Sequence, residues 1–175
     1  EDATDGVSKF IGAALTDWHD WPAPYRDPEC KAVETFADEH EDRVSFYGYL
    51  QWLAATQLEQ AQKTATATGG IGLYLDLAVG VAGDGAEAWS DQEVLVDGVR
   101  IGAPPDEFNP NGQNWGLLPL SPKALQVRRY RPFIDLLRQS MRHAGALRID
   151  HVLGLARSFW LPADRDVPGA YIRYP

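Results

Sequence analysis

Ile71-Gly72-Leu73-Tyr74-Leu75-Asp76-Leu77-Ala78-Val79 is the stretch that decides the architecture. It is a near-continuous apolar run of strand length, and it follows Gly69-Gly70. An apolar run without polar alternation reads as a strand buried on both faces, the pattern of a parallel sheet. A second short apolar run, Leu147-Arg148-Ile149, ends in Asp150-His151. A long loop and a helical segment separate the two runs. The order helix, strand, loop, helix, strand is a βαβ unit with its long loop after the first strand. Parallel α/β folds place their chemistry on loops at the carboxyl ends of strands. Asp84, Glu87, the 102–122 loop and Asp150 are therefore expected on one side.

Outward from this unit, Val44 to Thr66 is the clearest helix. Phe46, Leu50, Leu53, Ala54, Leu58 and Ala61 recur at helical spacing and no proline interrupts. Cys30 to Glu41 also reads as helix, with Ala32, Val33, Phe36 and Ala37 on one side and a solvated acidic end. Gly6 to Leu15 is amphipathic, and Trp18, Trp21, Pro22, Pro24 and Pro28 mark an irregular turn. Residues 1–43 thus form a helical, Trp- and Pro-rich segment, and residues 44–175 carry the βαβ portion. Val81 to Trp89 is a glycine-rich loop, and Asp97-Gly98 predicts a small hairpin over Val94 to Ile101. A loop as long as 102–122 is usually functional or disordered, and Phe108 and Trp115 argue against disorder. Ala124 to Ala144 reads as helix, with Leu125, Tyr130, Phe133, Leu136, Leu137 and Met141 inward. Pro132 either kinks it or starts a second helix.

The 175 residues suffice for one domain with a core. A net charge of −9, from 25 acidic and 16 basic residues, argues against a nucleic-acid surface. No apolar run approaches the roughly 20 residues of a membrane span. The single cysteine, Cys30, forms no internal disulfide, which makes the cytoplasm the simplest location. No secretory leader opens the chain. It starts at Glu1 without methionine and stops on Tyr171-Ile172-Arg173-Tyr174-Pro175, so both ends read as cut. No His, Cys, Asp and Glu cluster has metal-ligand spacing, and no cofactor is expected. Trp52, Trp89 and Trp160 are expected in the core, and His40 and His143 at the surface.

Alternation on a strand puts Arg148 and Asp150 on one face. The guanidinium can hold that carboxylate ionised, as a nucleophile in glycosyl transfer requires. A structural salt bridge at a strand end is the alternative. Asp76 either bonds neighbouring backbone or belongs to the site, and Glu87 reads as an exposed helix start.

Four segments in this order resemble the 4-alpha-glucanotransferases (amylomaltases) of glycoside hydrolase family 77. They are Asp76-Leu77-Ala78-Val79 with Asp84-Gly85-Ala86-Glu87-Ala88-Trp89, and Gly102-Ala103-Pro104-Pro105-Asp106 through Gly112-Gln113-Asn114-Trp115-Gly116. The others are Met141 through Asp150-His151, and Phe159-Trp160-Leu161-Pro162 with Gly169-Ala170-Tyr171. The resemblance covers about residues 44 to 175. It implies an α/β fold, part of a (β/α)8 TIM barrel, roughly strands two to four with their helices and a long active-site loop. It further implies a retaining double displacement in which Asp150 is the nucleophile and Arg148 orients it. Asp84 would hold the sugar at the cleavage point. Asp106 and Phe108 would cover the acceptor side, with Trp115 supporting that loop, and His151 would contact substrate. Maltooligosaccharides and other α-1,4-glucans are the implied partners. Asn109 stands where the family has serine, and Leu118 near its proline. A retaining enzyme needs a second carboxyl group about 5 Å from the nucleophile. The family's Gly-Glu-Asp-Leu-Gly-like segment is not in this chain. The expectation is therefore a fragment, inactive alone and prone to self-association through cut strand edges. A non-catalytic α-glucan-binding module and an α-glucan hydrolase are the competing readings.

Overall fold

The computed structural model describes residues 16–163 and 168–175. The amphipathic stretch expected over Gly6 to Leu15 lies outside them. After a 3-10 turn at Trp18–Asp20 come three helices, α1 (Ala23–Arg26), α2 (Lys31–Glu39) and α3 (Glu41–Ala67). Strands β1 (Tyr74–Asp76) and β2 (Val81–Ala82) lead to α4 (Ala86–Ser90). Next are β3 (Val99–Ala103), β4 (Gln113–Asn114) and β5 (Leu117–Leu118). Helices α5 (Pro122–Val127) and α6 (Arg131–Met141) precede β6 (Ala146–Arg148), β7 (Arg157–Pro162) and β8 (Ala170–Arg173).

β1 and β6 pair in parallel, Tyr74 with Ala146 and Asp76 with Arg148, so the βαβ connection forms. The Gly145 N–H donates to the Leu73 carbonyl at 2.8 Å, and the Leu77 N–H to the Arg148 carbonyl at 2.9 Å. Glycine is required at 145, because a Cβ there would run into the Ile71 carbonyl. β2 pairs antiparallel with β5, and β4, β3, β7 and β8 form a four-stranded antiparallel sheet in that order.

The run 71–79 is shorter and wetter as a strand than expected. Tyr74 is 63 % exposed, and of the nine residues only Leu77 is buried. Among the described residues β1 has one strand neighbour, which leaves its other edge and much of its surface open. α3 is likewise uncovered: Phe46, Tyr47, Tyr49, Leu50 and Trp52 are all exposed, which corrects the core placement of Trp52. Burial is concentrated around β3, β5, α4 and α5, where Ile101, Leu118, Pro119, Ala88, Val94 and Leu125 meet.

Three other expectations change. Asp97-Gly98 does turn the chain, with Gly98 at φ +75°, but no hairpin spans it. β3 pairs instead with β7, Val99 opposite Pro162 and Gly102 opposite Phe159. The long 102–122 stretch is partly a hairpin, since β4 returns onto β3 with Ala103 opposite Gln113. The helix expected over 124–144 is two helices. Arg129 and Tyr130 both have positive φ, and Pro132 lies in the first turn of α6. Met141 faces outward. His143, expected at the surface, is half-buried, and its Nε2 has no hydrogen-bond partner. The chain turns back there, near Glu59 of α3, to enter β6. Among the described residues, no helix is long and apolar enough to cross a membrane.

Candidate active site

β6 ends at Arg148, and the parallel register sets that residue opposite Asp76 at the end of β1. Arg148 grips two carboxylates. Its Nη2 lies 2.7 Å from Asp150 Oδ2 and its Nε 3.1 Å from Asp76 Oδ1. The second contact is the one the sequence did not reveal. Its only local signal was a charge inside an apolar run.

Asp150 Oδ1 accepts the His151 backbone N–H at 3.0 Å. That N–H is the main cause holding the Asp150 carboxyl below its ordinary range, and the Arg148 and His151 charges act in the same direction. Partial desolvation pulls the other way. The net result is an anion at neutral pH with both oxygens engaged. His151 itself sits at φ 49°, ψ 50°, the left-handed region that strains any residue but glycine. This conformation swings the chain into the 3-10 turn Val152–Leu155, and the Gly154 N–H donates back to the His151 carbonyl at 2.7 Å.

Asp150 and His151 line a depression of about 420 Å³ together with Trp115, Arg157, Phe159 and Tyr171. The Trp115 and His151 rings lie 4.4 Å apart, Phe159 meets Tyr171 edge-on at 5.2 Å, and Arg157 sits 4.8 Å over the Tyr171 ring. An anionic carboxylate beside aromatic walls can receive a sugar ring on its apolar face and attack its anomeric carbon.

The remaining expected residues are placed apart from this depression. Asp84 is exposed and lines a neighbouring polar depression with Asp17, His19, Asp97 and Arg100. His19 Nδ1 is 2.6 Å from Asp17 Oδ1, and Arg100 is 3.5 Å from Asp97. This cluster escaped sequence reading, since its members are scattered over eighty residues. Trp18 braces this polar depression by donating from Nε1 to the Gly83 carbonyl at 2.9 Å. Asp106 folds the loop tip: its Oδ1 accepts the N–H groups of Phe108 and Asn109 at 2.8 and 2.6 Å. Phe108 stands 89 % exposed. Trp89 and Trp160 are half-buried, with their indoles bonded to the Tyr25 carbonyl and to Ser158. Glu87 is exposed in the first turn of α4. Among the described residues, no group of three or more His, Cys, Asp or Glu could hold a metal ion.

Residues 11–175 match the family model of 4-alpha-glucanotransferase, glycoside hydrolase family 77. The 4-alpha-glucanotransferase of Mycobacterium tuberculosis is 48 % identical over 98 % of this chain, and that of Haemophilus influenzae 38 % identical over 90 %. These alignments take up 24 % and 23 % of the two relatives, so the chain spans about a quarter of their length. The crystal structure of amylomaltase from Corynebacterium glutamicum superposes on the whole chain with a TM-score of 0.72 at 36 % identity, covering 26 % of that protein. Amylomaltase from Streptococcus agalactiae, solved in complex with acarbose, matches in fold with a TM-score of 0.81 at 20 % identity. It covers 98 % of this chain and 36 % of its own. The chain belongs to the 4-alpha-glucanotransferase family.

Proposed function

We propose that this member of the 4-alpha-glucanotransferase family carries the nucleophile half of a retaining active site in a longer cytoplasmic enzyme. The segment would correspond to about strands two to four of a (β/α)8 barrel. The enzyme would move α-1,4-glucan segments between maltooligosaccharides. Asp150 attacks the anomeric carbon as the bond to the leaving 4-oxygen breaks, giving a β-linked glycosyl ester. An acceptor 4-hydroxyl then attacks the same carbon, frees Asp150 and restores the α linkage. A second carboxyl group from outside this chain protonates the leaving oxygen and later deprotonates the acceptor. Arg148 orients Asp150, Asp84 holds sugar hydroxyls, and His151 contacts the sugar beside the nucleophile. The loop carrying Asp106 and Phe108, supported by Trp115, covers the acceptor and keeps water out. No metal or cofactor enters the scheme.

The observation that carries this reading is the Arg148–Asp150 pair at 2.7 Å, with Asp150 held ionised at the wall of an aromatic depression. A module that only binds glucan has no need of that arrangement. Incubating the chain with maltotriose and resolving the products tests the scheme. The chain alone should give no turnover. The full-length enzyme should give glucose and longer oligomers, and Asp150→Asn should abolish both. Turnover by the chain alone would refute the need for an outside acid/base group.

A further inference from the structure

A run of contacts links the covering loop to the nucleophile. Trp115 is fixed by the sheet, not by the loop tip: its backbone N–H donates to the Ile101 carbonyl of β3 at 3.0 Å, and its Nε1 to Gln113 Oε1 of β4 at 3.0 Å. Its ring lies against the His151 ring, 4.4 Å between centroids. His151 in turn donates its backbone N–H to Asp150 Oδ1 at 3.0 Å. A non-glycine residue in the left-handed region persists only where its surroundings over-determine it. His151 is half exposed, and its ring also lies 4.0 Å from the Asp150 carboxylate. The indole thus braces the ring of a residue whose strained backbone is also held by the Gly154 N–H and by Asp150 Oδ1.

We infer that Trp115 is a positioning residue for Asp150, acting through His151. The β3–β4 hairpin that carries the acceptor loop then also sets the orientation of the nucleophile. This rests on the proposed role of Asp150 and deepens it, because a displaced hairpin would disarm the nucleophile as well as uncover the acceptor side. The charged groups around Asp150 are Arg148, the His151 ring and Arg157, with Asp76 beyond Arg148.

The test is a double-mutant cycle in the full-length enzyme on maltotriose. Trp115→Leu keeps apolar bulk without the ring and should lower kcat by roughly two- to tenfold, the range of one aromatic pair. The acid limb of its kcat/KM profile should move to higher pH, and Trp115→Phe should restore most of both. In a His151→Ala background Trp115→Leu should do nothing further. An equal loss in both backgrounds, or a rise in KM alone with kcat and acid limb unchanged, would overturn the inference. Carbon NMR titration of the Asp150 carboxyl gives a readout that needs no turnover. Its midpoint should rise in Trp115→Leu, and an unchanged midpoint refutes the coupling. Activity that survives Asp150→Asn would instead fault the nucleophile assignment.

Discussion

A guanidinium shared between two carboxylates cannot swing freely, and here it ties two strand ends to one functional oxygen. The pair Arg148–Asp150 was readable because the two stand only two positions apart in the chain. The Asp76 contact was not, because it depends on a parallel register joining positions 76 and 148. The polar cluster around Asp84 was hidden because its members lie far apart in the chain. Single-residue chemistry also sets the acid response. Asp17, Glu59, Asp135 and Asp150 are all held below their ordinary carboxyl range. The first causes are the His19 N–H, Lys63, Arg131 and the His151 N–H, respectively. The folded chain therefore binds fewer protons than the unfolded one in acid. That contribution is complete above the unfolded carboxyl values, about pH 4, and fades as pH falls through the lowered ones. Urea melts should show a midpoint that drops only across this acid window. A midpoint flat to the lowest pH would contradict it.

Helix boundaries show which signals the chain lacks. α5 ends with the Arg129 N–H donating to the Gln126 carbonyl and the Tyr130 N–H to the Leu125 carbonyl, at 3.1 and 2.6 Å. This double bond pattern normally closes on a glycine in the left-handed region. Arg129 occupies that place at φ 51°, so no glycine announced the break, and only Pro132 did. Arg129 is exposed, and among the described residues its side chain makes no hydrogen bond or ion pair. Arg129→Gly should therefore raise stability by about 0.5–1 kcal/mol, the left-handed cost less the added chain entropy. A thermal melt reads it, and a lowered midpoint would mean that Arg129 holds a contact of its own. The failed hairpin at Asp97-Gly98 carries a related lesson. A turn dipeptide fixes a turn, but the partner strand of β3 is chosen by packing from sixty residues away. The βαβ order and the α3 helix were legible because both follow from the length of uninterrupted runs and from the glycines and prolines that bound them.

At the scale of the whole molecule, the chain exposes 12385 Å². A compact protein of 19.4 kDa would expose only about 8,500 Å². The difference is partly α3, whose Val44, Phe46, Tyr47, Tyr49, Leu50, Trp52 and Leu58 all face solvent. A helix apolar around its circumference belongs in an interior. We propose that the isolated chain self-associates through this surface and through the free edge of β1. Sedimentation should show mass rising with concentration, and Leu50→Glu with Trp52→Glu should reduce it. A concentration-independent monomer with a cooperative melt would sink the proposal. The same helix has a consequence in time. Its bonds are local and can form within about a microsecond. Its near neighbour, the β1–β6 pair, cannot close until Arg148 has been made, 81 residues after Ala67. At about 5–20 residues per second, the ribosome needs roughly 4–16 s for that interval. Closing that pair still leaves the apolar side chains of α3 in water, so the risk that opens on the ribosome outlasts the interval and ends only when another surface covers the rod.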